Sequence, residues 1–311
     1  MKALIYKSTG SWYSAKTGTG KFYNARMKGI FKIDGITSTN PIAVGDEVEI
    51  LLESEVENEN TATITEIYDR RNYIARVSPH NKHQHHIVAS NIDQSLLFVT
   101  LKNPKTSSGF MDRFLAVCEM YHVPAIIVFN KADLYKKKEL DVFEDLKNVY
   151  ESVGYTVVLA SITNNLGVDE IKTLLKDKTT LLSGHSGVGK STFINSIFPE
   201  LSLRTQEVSG WSGKGMHTTT FAEMFDLPFG GAIIDTPGIR ELGLVDITKQ
   251  ELNGYFPEMK SLVNDCQFNN CLHMNEPGCA VKEAVVEGRI SEERYINYLK
   301  ILDTINENDW E

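Results

Sequence analysis

The sequence predicts an α/β protein in three parts: a small N-terminal β-barrel, a central parallel sheet covered by helices, and a C-terminal helical module. The first part is indicated by short runs of β-branched and aromatic residues before residue 70. The second is indicated by apolar strands that alternate with amphipathic helices from Asp93 onward. Three of the four cysteines crowd between Cys266 and Cys279, which indicates a metal site in the third part.

The chain has 311 residues and a mass of 34.9 kDa, which fits about two or three domains. We predict a barrel over 1–75, a linker over 76–92, a central domain over 93–245 and a C-terminal module over 246–311. With 41% hydrophobic and 23% charged residues, the composition excludes disordered and fibrous classes. No run approaches the roughly 18 apolar residues of a membrane helix, and the N-terminus lacks the apolar core of a signal peptide. We therefore expect a cytoplasmic protein without a membrane partner.

Five runs form the predicted barrel: ALIYK, SWYSA, KFYNARMKGIFKI, DEVEILLES and TATITEIYD. No helical period interrupts them, which favours the five-stranded nucleic-acid-binding barrel called the OB-fold. Its aromatic side chains could stack on bases or fill the core, and for each of them the core is favoured by about two to one. These aromatic residues are Trp12, Tyr13, Phe22, Tyr23 and Phe31.

Charge is strongly polarised along this barrel, although the whole chain carries a net charge of −9. Residues 1–33 hold seven basic side chains and no acidic one, whereas residues 34–69 hold ten acidic side chains and no basic one. The net charge disfavours bulk electrostatic coating of nucleic acid but permits a local basic patch. We therefore expect the barrel to bind RNA through its basic first third, with the acidic stretch from Asp46 to Glu59 facing away.

The segment 76–92 contains four of the eight histidines and shows no clear hydrophobic period. These histidines could bind a metal or sense pH, but no cysteine or carboxylate joins them at a ligand-like spacing. We interpret the segment as a solvated linker. The four histidines are His80, His83, His85 and His86.

The strongest motif is a complete G-x-x-x-x-G-K-[ST] sequence that follows the predicted strand TTLLS and opens the helix STFINSIF. Its glycines let backbone N–H groups surround a phosphate at the helix N-terminus. Lys190 supplies a positive charge to the β- and γ-phosphates, and Ser191 offers a hydroxyl to Mg²⁺. The predicted phosphate-binding residues are Gly184, His185, Ser186, Gly187, Val188, Gly189, Lys190, Ser191 and Thr192.

A second motif, D-T-P-G, ends the apolar strand GGAIID. Asp235 can hold Mg²⁺ through water, and the N–H of Gly238 can meet the γ-phosphate. Such a short motif is weak evidence alone, but its place on the buried strand after the phosphate loop makes it strong. Between the two motifs, Thr218 and Thr219 are expected to reach the γ-phosphate and Mg²⁺.

The N-K-A-D sequence at 130–133 follows the buried strand PAIIVF and decides the base. The carboxylate of Asp133 can accept hydrogen bonds from the N1–H and N2–H₂ groups of guanine, whereas adenine has neither donor there. Asn130 can pin the loop, and the stem of Lys131 can cover the base. Ser161 and Ile162 fit a loop whose backbone N–H reaches guanine O6. We therefore predict GTP and GDP as ligands.

The order of these motifs is reversed relative to an ordinary small GTPase. The base-reading residues 130–133 and Ser161 precede the phosphate loop and Asp235. A permuted order is tolerated because all these loops lie at one edge of the same sheet, so only the connections change. We therefore predict a circularly permuted P-loop domain.

A zinc site is predicted in CQFNNCLHMNEPGC, because three thiolates and an imidazole within this segment can fill a tetrahedral shell and leave no open position. The alternative is a set of buried free cysteines. The predicted ligands of one structural Zn²⁺ are Cys266, Cys271, His273 and Cys279. The remaining thiol, Cys118, is predicted to lie in the core, and Ser291 is predicted to cap a helix that packs on the domain.

Permuted guanine motifs, a preceding small barrel and a following Cys-x₄-Cys-x-His-x₅-Cys together resemble the bacterial ribosome small-subunit-dependent GTPase A family (RsgA, also called YjeQ or YloQ) over essentially the whole chain. The sequences G-x-H-T-T-T at 215–220 and D-T-P-G-I-R-E at 235–241 are typical of that family. The chain departs from the family in Met216, where an arginine is usual, and in its histidine-rich linker.

The resemblance implies an α/β fold class: a circularly permuted P-loop GTPase domain with an N-terminal OB-fold β-barrel and a C-terminal zinc-binding helical module. It implies a GTP hydrolase that binds the 30S ribosomal subunit and 16S rRNA and assists late maturation of that subunit. Hydrolysis of GTP to GDP and phosphate would be stimulated by the subunit. We expect a monomer. A GTP-regulated RNA-binding scaffold with incidental hydrolysis is the alternative, and turnover with and without 30S subunits separates the two.

The catalytic group is not the residue after D-T-P-G, because Ile239 cannot orient a water molecule as a glutamine would there. His217 is our candidate, since an imidazole can hydrogen-bond the attacking water and its threonine neighbours can reach Mg²⁺ and the γ-phosphate. The alternative is a histidine that only orders its loop or touches RNA.

Overall fold

The computed structural model describes residues 1–27, 40–56, 59–77, 85–198, 222–236, 244 and 247–305. Its N-terminal part is a barrel of five strands, as the sequence predicts. The strands are β1 (Lys2–Ser8), β2 (Tyr13–Thr17), β3 (Phe22–Met27), β4 (Glu47–Val56) and β5 (Glu59–Ile67). Pairing runs β1–β2–β3–β5–β4 and returns from β4 to β1, which closes the barrel and leaves no free edge among these strands.

The barrel aromatics divide between core and surface. Tyr13 and Tyr23 are buried with Ile5, as period-2 alternation along the strands requires. Trp12 and Phe22 are 48% and 45% exposed. These two rings are therefore the ones left for stacking on a base, while Phe31 lies outside the described residues.

The interpretation of 76–92 as a solvated linker is wrong for its described part. Two strands, β6 (Tyr73–Val77) and β7 (His85–Ser90), pair antiparallel. Ile87 and Ala89 are fully buried, and the amide of Ser90 donates to the carbonyl of Val44 at 2.9 Å. The apolar run from Ile87 to Ala89 is too short to show a hydrophobic period beside the polar histidines that precede it. This strand was therefore not recognisable from the sequence. The domain boundaries themselves stay predictions.

The central sheet has the order β10–β9–β8–β11–β13–β12 and is parallel except for β12. Its strands are β8 (Gln94–Val99), β9 (Ala125–Phe129), β10 (Thr156–Leu159), β11 (Thr179–Ser183), β12 (Glu223–Asp226) and β13 (Ala232–Asp235). The helices are α1 (Ser108–Met120), α2 (Lys137–Ser152), α3 (Val168–Leu175) and α4 (Lys190–Ile197). One apolar cluster joins the sheet to α1 and α2, and a second joins its other face to α3 and α4. The sheet is thus covered on both faces, which accounts for its continuous apolar strands.

The C-terminal module consists of short helices around the cysteine segment. It contains α5 (Pro257–Lys260), α6 (Ala280–Val286) and α7 (Glu292–Asp303), with 3₁₀ turns at Leu252–Tyr255 and Val263–Asp265. Ser291 caps α7 by accepting from the amide of Arg294, as predicted. The module shares an apolar cluster with Ala116 of α1, so it packs directly on the central domain. In the described part of the chain, no helix has the length and apolar character needed to cross a bilayer.

The barrel and the central sheet form one hydrogen-bonded surface. Strand β1 pairs antiparallel with β12 at a single register point, Lys7 opposite Glu223, so the described strands include an 11-stranded sheet. The carboxyl ends of β8, β9, β10 and β11 lie at one edge of the parallel part. Loops at that edge carry the predicted nucleotide residues, as expected for an open α/β sheet.

Candidate functional site

The phosphate loop has the backbone shape that phosphate binding requires. Gly184 has φ 133°, and a Cβ there would lie 2.3 Å from the carbonyl oxygen of Phe98. Gly189 has φ 104°, and a Cβ there would lie 2.2 Å from Nδ2 of Asn130. Both positions therefore need glycine, and α4 begins directly after the second. The free N–H groups of the first turn of α4 are thereby presented to an anion.

Lys190 is held inside this loop by two carbonyls. Its Nζ donates to the oxygens of Gly184 at 2.6 Å and His185 at 2.9 Å. An ammonium has three N–H donors, so one remains for a phosphate oxygen. Burial lowers the pKa of Lys190, and the carboxylate of Asp235 opposes that change. A bound phosphate would favour the charged form still more.

Asp235 lies close enough to Lys190 for the two charges to interact. Burial raises the pKa of Asp235, while the ammonium of Lys190 and the backbone N–H of Thr236 lower it. A divalent cation would strongly favour the carboxylate. Ser191 is exposed at the start of α4, where its hydroxyl is accessible to a ligand. These residues fit the predicted Mg²⁺ site in chemistry and placement.

Asn130 ties the base-reading loop to the phosphate loop. Its Nδ2 donates to the carbonyl of Val188 at 2.8 Å, and the residue is 2% exposed. This contact is also the reason that Gly189 has no room for a side chain. The two motifs lie far apart in the chain, yet the sheet edge brings them into direct contact. Asn130 therefore pins the loop, as the sequence suggested.

Asp133 is exposed and oriented by neighbouring hydroxyls. Its Oδ1 accepts from Oγ of Ser161 at 2.5 Å and more distantly from Oγ1 of Thr163 at 3.4 Å. Such support fixes the carboxylate plane that guanine would meet. Ser161 thus contributes through its side chain, a contact that spacing alone did not reveal.

The amide of Ile162 differs from its expected role in this structure. Its N–H donates to Oδ1 of Asn130 at 3.3 Å, whereas we expected it to point at guanine O6. The Ile162 side chain is buried among the apolar residues behind the loop. The Asn130 side chain therefore bridges the phosphate loop on one side and the Ser161–Ile162 loop on the other. Donation to O6 stays a prediction.

The loop after β8 is a part of the site that sequence reasoning missed. Nζ of Lys131 donates to the carbonyl of Asn103 at 2.5 Å, so the lysine stem extends toward this loop. Pro104 lies beside Gly187 of the phosphate loop. The ring of His185, also in the phosphate loop, packs against Phe110 of α1 at a centroid distance of 3.8 Å. The available signal was the K-N-P-K turn at the carboxyl end of a buried strand, where ligand loops are expected.

Four predicted residues fall outside the described part of the chain. They are His217, Thr218, Thr219 and Gly238. Their expected roles at the γ-phosphate, at Mg²⁺ and in catalysis stay predictions.

The cysteine segment forms a compact cluster that fits zinc. One ligand atom from each of Cys266, Cys271, His273 and Cys279 lies within 4.8 Å of all the others. Nδ1 of His273 is 3.7 Å from Sγ of Cys266 and 3.3 Å from Sγ of Cys279. Tetrahedral Zn²⁺ with ordinary bond lengths places neighbouring sulfur and nitrogen ligands about 3.5 Å apart. Three soft thiolates and one imidazole are the donor set that zinc prefers.

Outer contacts orient this cluster. The backbone N–H of Lys282 donates to Sγ of Cys279 at 3.5 Å. Nε2 of His273 is 3.3 Å from Nδ2 of Asn253, and a 180° rotation of this amide presents its oxygen to the imidazole N–H when Nδ1 binds metal. Tyr295 and Tyr298 of α7 donate to the carbonyls of His273 and Leu272 at 2.6 and 3.1 Å. The cluster and α7 therefore depend on each other.

Burial sets the protonation of the free cluster. It raises the pKa of Cys271 to about 12 and that of Cys279 above its ordinary value, and it lowers the pKa of His273. Metal binding must therefore displace thiol protons from buried sites, which a divalent cation at bonding distance does. The remaining thiol, Cys118, is fully buried in the core, as predicted.

A buried ion-pair network that no sequence motif predicted joins the C-terminal module to the central domain. Arg294 of α7 donates to Asp112 of α1 at 2.6 Å and to Glu258 of α5 at 2.5 and 3.0 Å. Asn297 and Tyr150 donate to the same Asp112 carboxylate at 2.7 and 3.0 Å. The Arg294 and Asp112 side chains are 3% and 0% exposed, so each charge depends on its partners.

The expectation that the acidic stretch faces away from the basic residues is wrong for its described side chains. Lys2 pairs with Glu47 at 2.7 Å, and Arg26 lies 3.4 Å from Glu53. The N-terminal ammonium pairs with Glu49 at 2.5 Å. Strand β4 closes the barrel against β1, which puts the acidic strand beside the basic one. Asp46 is buried and pairs with Arg70 at 2.6 Å.

Comparison with known proteins gives consistent results over the whole chain. A family model for the RsgA N-terminal domain matches residues 2–64, and one for the RsgA GTPase matches residues 67–245. "Small ribosomal subunit biogenesis GTPase RsgA" of Cytophaga hutchinsonii is 52% identical and covers 97% of this chain and 98% of its own. The protein of that name from Flavobacterium psychrophilum is 50% identical, with 97% and 93% covered.

Two solved structures resemble the molecule along its length. YjeQ from Thermotoga maritima superposes with a TM-score of 0.76 at 32% identity, covering 97% of each chain. YloQ, described as a circularly permuted GTPase, superposes with a TM-score of 0.73 at 30% identity, covering 97% of this chain and 93% of its own. The predicted fold class is thereby confirmed, including the permuted order of the nucleotide motifs.

Proposed function

Because the chain belongs to the RsgA family of circularly permuted GTPases, we propose that it acts on the small ribosomal subunit during its assembly. GTP hydrolysis is the activity of the family and therefore of this enzyme. The protein binds the 30S subunit and its 16S rRNA in the cytoplasm, assists a late step of maturation and leaves after hydrolysis. The relatives named above carry small-subunit biogenesis in their names, which supports this assignment.

The observation that best supports nucleotide-dependent action is the contact between Asn130 and Val188. It joins the loop that reads guanine to the loop that holds the phosphates. When one of these loops binds its end of GTP, the contact therefore also orders the loop that binds the other end. Exposed Trp12 and Phe22 on the barrel offer stacking surfaces for unpaired rRNA bases.

The cofactors follow from the same residues. Ser191 and Asp235, with Thr219 as the further predicted ligand, would hold Mg²⁺, which would supply positive charge to the phosphates. One structural Zn²⁺ would be held by Cys266, Cys271, His273 and Cys279 and would support the C-terminal module. The protein works as a monomer.

The activity is tested by measuring GTP turnover with purified 30S subunits, with 50S subunits and with neither. We expect slow turnover alone and a large stimulation by 30S subunits only, because the catalytic segment must be fixed by its partner. Co-sedimentation with 30S subunits in a non-hydrolysable GTP analogue and in GDP shows which nucleotide state binds. Tight 30S binding without any stimulation would favour the scaffold with incidental hydrolysis.

A further inference from the structure

The strand pairing between the barrel and the central domain is a single register point flanked by charged side chains. Strands β1 and β12 share one register pair, Lys7 opposite Glu223. The side chains of this pair also meet, with Nζ of Lys7 2.8 Å from Oε2 of Glu223. Lys7 belongs to the basic first third of the barrel, whereas Glu223 belongs to the GTPase sheet.

A second carboxylate from the same strand reaches the barrel. Asp226 accepts from the hydroxyl of Tyr6 at 2.5 Å, and its other oxygen pairs with Nζ of Lys16. That ammonium also lies 5.0 Å from the ring centre of Tyr6 and 5.6 Å from that of Phe22. Phe22 is 45% exposed, so its ring is accessible at the barrel surface.

The groups around Asp226 have the chemistry of a phosphate site beside a base. A lysine ammonium and a phenol hydroxyl donate to one anion, and an exposed aromatic ring lies next to them. Proteins that bind single-stranded RNA combine backbone cations with stacking rings in this way. In the structure, the anions bound to Lys7 and Lys16 are the carboxylates of Glu223 and Asp226.

We propose that Glu223 and Asp226 stand in for RNA phosphates on the barrel, so that single-stranded RNA must displace them to bind Lys7 and Lys16. The inference rests on the proposed function, because it assumes that the barrel binds RNA. It adds that the barrel is partly self-blocked in the free protein. RNA binding therefore breaks the ion pairs of Lys7 and Lys16 with β12.

Loss of the Lys7–Glu223 ion pair has a direct consequence for the nucleotide site. Glu223 is the cross-strand partner of Asp235, the predicted Mg²⁺ carboxylate. Glu223 thus pairs with Lys7 of the barrel and lies opposite Asp235 of the GTPase site. If RNA removes Lys7 from Glu223, the field at Asp235 changes, and by linkage nucleotide and Mg²⁺ must in turn affect RNA affinity.

The test uses the full chain and a fluorescein-labelled oligo(U) of about 12 nucleotides, a length suited to one barrel. Glu223→Gln with Asp226→Asn removes both competing charges. Asp169→Asn with Glu170→Gln is the matched control, because it changes the net charge equally on exposed residues of α3. Thermal unfolding and circular dichroism verify that each variant is folded, and a fluorescent GTP analogue measures nucleotide binding separately.

We expect the Glu223/Asp226 variant to bind oligo(U) about 3- to 10-fold more tightly than wild type, since two partly exposed ion pairs no longer compete. Its plot of log affinity against log salt should keep the wild-type slope, because the same lysines meet the same phosphates in both complexes. The control should match wild type in affinity. Asp226→Asn alone, which keeps the Lys7–Glu223 pair, should give an intermediate affinity.

Three results would overturn the inference in distinguishable ways. Equal tightening in both double variants would show a long-range effect of net charge. RNA binding by wild type without gain in the Glu223/Asp226 variant would refute the self-blocking and leave the proposed function intact. An absence of binding by every variant, with GTP binding retained, would refute the RNA-binding role of the barrel and this inference with it.

Discussion

At the scale of single residues, we predict that Asp133 determines which base is bound. Its carboxylate is exposed and oriented by Ser161, ready to accept two hydrogen bonds from guanine. Asp133→Asn should weaken GTP binding by about 100-fold or more, because one guanine donor then faces an amide N–H. The same change should improve binding of xanthosine triphosphate, whose C2 carbonyl accepts that N–H.

Titration of fluorescent GTP and XTP analogues measures both effects. Asp169→Asn serves as the control, since this exposed carboxylate pairs with Lys172 on its own helix. Unchanged GTP affinity in the Asp133 variant, or wild-type affinity for an ATP analogue equal to that for GTP, would contradict the base assignment.

His217 is the residue to which we assign catalysis. His217→Ala should lower 30S-stimulated turnover by about 100-fold, since general acid–base or water-orienting groups contribute about that much. GTP affinity and subunit binding should be retained. His217→Gln should keep more activity than the alanine variant, because a glutamine amide can also orient water.

Single-turnover hydrolysis with saturating 30S subunits is the measurement for these His217 variants. Normal stimulated turnover in His217→Ala would exclude the residue from the mechanism and indicate a group supplied by the ribosome.

At the scale of structural elements, we predict that zinc in the Cys266, Cys271, His273 and Cys279 cluster holds the cysteine segment and α7 together. Elemental analysis should find about one zinc per chain, because all four ligand positions come from protein. Chelation, or Cys271→Ser, should speed amide hydrogen exchange in residues 280–303, since Tyr295 and Tyr298 bind carbonyls of the zinc loop.

Cys118→Ala is the matched control, because this thiol is buried in the core away from the cluster and its loss should leave the zinc content unchanged. Full zinc occupancy in Cys271→Ser, or unchanged exchange after chelation, would show that the cluster does not support the module.

At the scale of the whole molecule, the Arg294 network attaches the C-terminal module to α1. Arg294→Met should lower the free energy of unfolding by about 3–5 kcal/mol, because it leaves Asp112 and Glu258 as buried charges without their cation. Arg289→Met should stay within about 0.5 kcal/mol, since Arg289 pairs with Glu287 at the surface.

Urea unfolding followed by circular dichroism compares the two arginine variants. Equal, small shifts would show that the buried ion pairs do not stabilise the attachment. The companion change Asp112→Asn should restore part of the stability lost in Arg294→Met, because it removes the unpaired charge.

The barrel is also part of the whole molecule rather than an appended domain. Tyr6 and Val44 share an apolar cluster with Val99 and Met224 of the central sheet. A chain without residues 1–75 would expose this cluster, so loss of subunit binding in such a chain could reflect damage to the GTPase sheet. Charge variants of the full chain therefore test the barrel more cleanly.

The sequence by itself determined the features whose parts are neighbours in the chain. The phosphate loop at 184–191, the guanine motif at 130–133 and the zinc ligands at 266–279 each have a fixed spacing, and chemistry restricts which residues can fill it. The helices α1 to α4 and the parallel strands of the central domain followed from hydrophobic periods long enough to recognise. The short strands β7 and β12 failed that condition.

Only the tertiary structure decided which distant residues meet. Asn130 and Val188 are 58 positions apart, Asp112 and Arg294 are 182 apart, and Lys16 and Asp226 are 210 apart. No local pattern marks such partners, because a charged or polar residue has the same sequence signature whether it faces water or a buried partner. The distribution of charge on the barrel was misjudged for this reason. Barrel closure puts β4 beside β1, and sheet pairing brings β12 to the basic strand, so geometry rather than composition fixed the partners of these lysines.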